Sequence, residues 1–128
     1  MSHFSQIKTK IRHLPALESA LNDLGFDWKS GPHPVRGYQG QTETAEVVIP
    51  QENGFDIGFR WNGEEYELVA DLELWKQDLT VERFLSKVTQ RYALNTVLSS
   101  TEEQGFQVAK QEQDADGNIR LVVQRWNG

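Results

Sequence analysis

Apolar residues recur along this chain with two different periods, and the switches between them mark out the elements. Residues 2–11 alternate, with Ile7, Thr9 and Ile11 on one side and Lys8 and Lys10 on the other, which predicts a strand. Leu14, Leu17, Leu21 and Leu24 then follow a helical period and predict a helix over 14–24. Pro15 sits in its first turn, where a missing N–H is harmless, and Gly25 follows as a stop. Residues 26–29 predict a short strand. Residues 30–42 carry Gly31, Pro32, Pro34, Gly37 and Gly40 and predict a long loop.

The next stretch alternates again. Residues 43–50 predict a strand ending at Pro50. In 54–61, Phe55, Ile57, Phe59 and Trp61 fall on one face, with Asp56, Gly58 and Arg60 on the other. Asn62-Gly63 is a two-residue hairpin signal. Residues 64–71 predict the returning strand, with Tyr66, Leu68 and Ala70 inward. Thr80 is an N-cap and Glu82 suits the first turn of a second helix over 81–99. Its apolar stripe is Phe84, Leu85, Val88, Tyr92 and Leu98, and Gly105 closes the region. Two further strands, 106–113 and 119–126, flank the turn Asp114-Ala115-Asp116-Gly117-Asn118. Runs of strands separated by two helices predict an α+β fold. The expected form is a two-layer sandwich: a mostly antiparallel sheet of five to seven strands with both helices on one face.

Composition narrows the chemistry. A chain of 128 residues has the size of one domain and buries roughly two-thirds of its unfolded surface. With no cysteine there is no disulfide, thiolate nucleophile or Cys-held metal. No stretch approaches the apolar length of a membrane span, and residues 1–10 have no signal-type apolar region, so no membrane association is expected. Thirteen basic against nineteen acidic side chains, a net charge of −6, disfavour a generic nucleic-acid binder. RNA stacked on an open sheet face is disfavoured as well, because the outward residues Asp56, Arg60, Glu67 and Asp71 are mostly acidic.

No catalytic residue, metal set or cofactor motif is identified. His3, His13 and His33 lack metal-pair spacing, and residues 114–118 depart from a calcium loop because glycine follows Asp116 directly. The best binding candidate is the loop from residue 31 to residue 41. There Gly37 and Gly40 could expose N–H groups to an anion, Arg36 supplies a forked cation and Tyr38 a ring. The alternative is a turn that packs Tyr38 on the sheet. Arg91 is a further binding candidate; the alternative is a structural pairing with a carboxylate such as Asp71 or Glu67 across the helix–sheet seam. Trp75, which no period places inward, is either a partner contact or boundary packing.

Several segments, in order, resemble one family. They are Ser2-His3-Phe4-Ser5 with Ile7 and Ile11, Arg36-Gly37-Tyr38, Tyr66-Glu67-Leu68-Val69-Ala70-Asp71, Gln90-Arg91-Tyr92-Ala93, Gly105-Phe106 and Val123-Gln124-Arg125-Trp126. Together they resemble the hypothetical chloroplast reading frame thirty-five proteins of algal plastids and cyanobacteria, over residues 2–126. The resemblance implies a small stand-alone soluble protein of cytoplasm or plastid stroma and carries no catalytic residue over. The expectation is a non-catalytic accessory protein with a protein partner, with self-association possible. The alternative is a small anion or nucleotide held by loop 31–41.

Overall fold

The alternating segments find their partners in one antiparallel sheet. The computed structural model describes residues 3–125, and for 106–110 the backbone only. In chain order the elements are β1 (Phe4–Lys8), α1 (Leu14–Asp23), β2 (Lys29–Arg36), β3 (Thr42–Pro50), β4 (Asp56–Trp61), β5 (Tyr66–Asp71), α2 (Val81–Glu103), β6 (Phe106–Gln113) and β7 (Ile119–Arg125), with 3-10 turns at Tyr38–Gly40 and Leu72–Leu74. Five strands form one sheet in the order β1-β5-β4-β3-β2, and β6 and β7 form a separate pair. The fold is therefore α+β, as the pattern predicts, with the last two strands outside the main sheet.

Both helices contribute to the core on the inner face of the five-stranded sheet. Val47, Ile49, Ile57, Phe59, Tyr66, Leu68 and Ala70 meet Leu17 and Leu21 of α1 and Phe84 and Val88 of α2. Phe84 is the hub: its ring stacks on Phe59 at 6.5 Å and takes Phe26 and Trp75 edge-on at 5.1 and 5.2 Å. Burying such a ring contributes about 2–3 kcal/mol. The outer face has its own smaller cluster, Val35, Ala45 and Val48 with Phe4. Here β2 curls over the sheet: a Cβ on Gly58 would stand 2.4 Å from Val35 Cγ2.

Several expectations are corrected. Residues 30–42 are not a loop: 29–36 form the edge strand β2, bulged between Ser30 and His33, and Tyr38–Gly40 is a 3-10 turn. Of β2's side chains only Val35 is buried, so no alternation betrays it. Pro32 and Pro34 are tolerated because an edge strand has one side without ladder bonds. The strand expected at 26–29 retains only Lys29.

β1 stops at Lys8. Thr9 leaves the ladder, donating its hydroxyl to Tyr66 O and accepting from the Ile11 N–H, while Ile11 O takes the Tyr66 N–H. The Asn62-Gly63 turn is a four-residue loop, not two. Asn62 N–H donates to Glu65 O, and Asn62 Oδ1 accepts from the N–H groups of Glu64 and Glu65, so β5 begins at Tyr66. Trp61, predicted inward, is 39% exposed at the end of β4 and lies against Tyr66 at 5.0 Å. On α2 the buried residues are Phe84, Val88 and Leu94, and the helix runs on to Glu103. The predicted strand ends Ser2 and Trp126 lie outside the described residues.

Candidate functional site

β2 ends at Arg36 and the chain turns back on itself at once. Gly37 N–H donates to Gln41 O at 2.7 Å and Gln41 N–H to Tyr38 O at 3.1 Å. Gln39 and Gly40 take left-handed backbone, φ +53 and +78. Gly37 lies so close to Phe4 that a Cβ there would meet the ring at 2.5 Å. Arg36 grips Asp56 with its whole fork, Nε to Oδ2 at 2.8 Å and Nη2 to Oδ1 at 2.9 Å, and its main-chain N–H adds a third bond to Oδ2. The side-chain hydrogen bonds to Asp56, then its charge, hold the guanidinium above its ordinary pKa. Arg36 and the Gly37 N–H, two groups read as an anion grip, are thus engaged internally. Tyr38 is half-buried.

Behind Arg36 lies a feature the sequence reading missed. Gly58 of β4 stands opposite Val69 of β5, and continuing that register by two residues places Asp56 opposite Asp71 on the same outer face. Asp56 is 3% and Asp71 5% exposed. Asp71 Oδ1 accepts the Glu73 N–H at 3.1 Å and caps the Leu72–Leu74 turn. Asp71 Oδ2 is buried with no hydrogen-bond partner. Both aspartates carry outward parity in the sequence. A two-residue Asn62-Gly63 loop would have set Asp56 opposite Val69; the four-residue loop moves the register by two residues, towards Asp71.

Trp75 and Arg91 sit elsewhere. Trp75 donates Nε1–H to Leu79 O at 2.8 Å and packs, half-buried, on Phe84. Arg91 pairs with Asp23 of α1, Nε to Oδ2 at 2.9 Å, instead of Asp71 or Glu67. Asn95 donates to the same oxygen at 3.0 Å. Hydrogen bonds from Arg91 first, then Asn95, hold the Asp23 carboxyl below its ordinary value. Tyr92 OH accepts from the Arg12 and His13 N–H groups, each at 3.1 Å, so two adjacent α2 residues tie that helix to α1 and its approach. Among the described residues no three His, Asp or Glu are grouped to hold a metal, and no helix is long and apolar enough to cross a membrane.

The far end of the molecule has a different character. Five large hydrophobic side chains among the described residues are exposed, and three of them, Val97, Val122 and Val123, belong to the second half of α2 and to β7. Between these elements lies a space of about 280 Å³ lined by Ala93, Leu94, Val97, Ile119 and Leu121, with Gln90 and Asn118 at its polar margin. Glu102, Glu103, Asp114 and Asp116 are exposed around this end. Asn118, through its backbone and then its side chain, holds the Asp114 carboxyl below its ordinary value.

Comparison with known proteins places the chain among relatives of similar length. The family model described as "Protein of unknown function (DUF1257)" matches residues 20–122. A protein named "Uncharacterized protein ycf35" from Guillardia theta is 48% identical over 126 residues, covering 98% of each chain. Proteins of the same name from Cyanophora paradoxa and Pyropia yezoensis are 46% and 42% identical, covering 98% and 99% of each chain. No solved structure matches.

Proposed function

The chain belongs to the DUF1257 family, and from that premise we propose that it is a non-catalytic accessory protein that holds a protein partner through its α2–hairpin end. The observation that carries this reading is the apolar groove between α2 and β7, walled by exposed Val97, with exposed Val123 continuing the Ile119 and Leu121 face, on a hairpin that stands outside the main sheet. Within the described residues β7 pairs with β6 alone, and a strand edge offers a row of main-chain donors and acceptors. The partner is an extended protein segment that adds as a strand to β7. Its alternate apolar side chains enter the groove, and basic residues flank them to match Glu102, Glu103, Asp114 and Asp116. The compartment that goes with this reading is cytoplasm or plastid stroma.

A combined Val122→Asp and Val123→Asp variant is expected to lose a stoichiometric partner that wild type retains on affinity capture, while keeping the wild-type circular dichroism spectrum. The Arg36→Glu variant is expected to keep that partner. A partner kept by the valine variant but lost with Arg36→Glu would overturn the surface assignment and favour the alternative contact at loop 31–41. Light scattering on the purified protein identifies the case in which the partner is a second copy. Capture of a small anion or nucleotide by that loop is the less supported reading, since Arg36 would first have to leave Asp56.

A further inference from the structure

The outer face of the five-stranded sheet is balanced in charge at one end and not at the other. Near the Asn62 loop, Glu67 stands opposite both Lys8 on β1 and Arg60 on β4. Arg60 also bridges Glu43 at 2.8 Å. At the opposite end Arg36 pairs with Asp56 alone, both of whose oxygens accept from its fork. Asp71 Oδ2 is left buried and unpartnered. A carboxylate oxygen out of water without a donor is strongly unfavourable, and such groups are normally paired.

We infer that Asp71 Oδ2 marks a binding site for a small cation that donates hydrogen bonds, namely a primary ammonium group. The chemistry follows from what is on offer. A guanidinium is held best through both carboxylate oxygens, and Asp71 Oδ1, which already accepts the Glu73 N–H, is the less available of the two. A divalent metal needs more oxygen ligands than one, and no three-residue set is grouped here among the described residues. An ammonium is a compact charge that a single carboxylate oxygen can anchor, with its other two donors left for main-chain carbonyls or water. Phe4 and the turn after β2 border the site. Phe4 stands opposite Asp71 in the β1–β5 register, its ring reaches Gly37, and the turn beyond contains the left-handed pair Gln39 and Gly40. This site lies on the main sheet and is independent of the hairpin surface.

The test uses methylammonium chloride against sodium chloride at equal ionic strength. Wild type is expected to gain Tm saturably with methylammonium, by about 5 °C at tenfold over its Kd. The amide resonance of Glu73, which donates to Asp71, is expected to shift with the same midpoint. The isosteric Asp71→Asn variant is expected to lose the Tm response. Identical curves in the two salts would overturn the inference, as would a response that persists in Asp71→Asn. If that variant does not fold, the wild-type Glu73 resonance decides: movement specific to methylammonium supports the site, and a stationary signal overturns it.

Discussion

At the scale of single residues, stability here rests on a few close approaches and caps that composition does not advertise. Gly58 gives way to Val35, so Gly58→Ala is expected to cost about 2 kcal/mol, read as a lower urea midpoint with unchanged slope. Thr80 accepts the Arg83 N–H as an N-cap, and Thr80→Ala is expected to cost about 1 kcal/mol in the same measurement. A cost indistinguishable from zero at either position would contradict the geometry. Thr80 was legible because a cap is a local arrangement of residue type and position. Asp56 and Arg36 were each visible as charges, but their pairing depends on β2 curling over β4, twenty residues apart in sequence. Gln51 was missed for a similar reason. Its buried amide accepts from the Lys76 N–H and the Gln77 side chain and pins the stretch before α2, a contact with no local signature.

At the scale of elements, α1 and α2 were readable because each carries its own period, and β2 was not because its identity belongs to β3. The α2 stripe was read as one face, yet Leu94 lies off it and is buried next to the hairpin groove. The helix changes partner along its length, and a single-period reading averages the two faces. The two helices are joined by Asp23, Arg91 and Asn95. Because folding lowers the Asp23 pKa from 3.8, the stability it contributes is complete above that value and lost as pH falls through the folded value. Asp23→Asn is therefore expected to be less stable than wild type at neutral pH, with the gap closing below about pH 4. Parallel acid-denaturation curves for the two proteins would refute that role.

At the scale of the whole molecule, the class of fold was legible because order and period survive errors at individual boundaries. The separation of β6 and β7 was not, since nothing in two alternating strands says which sheet they join. A lone two-stranded pair is marginal by itself and depends on its packing against a helix. The hairpin amides are accordingly expected to exchange hydrogen faster than those of β4 and β5, where both faces are covered. Equal protection across both sheets would show that the hairpin opens only with the whole molecule.

The pairing of β1 with β5 carries a consequence for how the protein is made. Phe4 lies beside Asp71, so β1 has its neighbour synthesised only after β2, β3 and β4. Ring closure between residues so far apart in sequence slows folding, and the waiting strand stays open to wrong partners. In this chain β1 is made before its partner and placed after the others, so the sheet fills from its β2 edge towards its β1 edge.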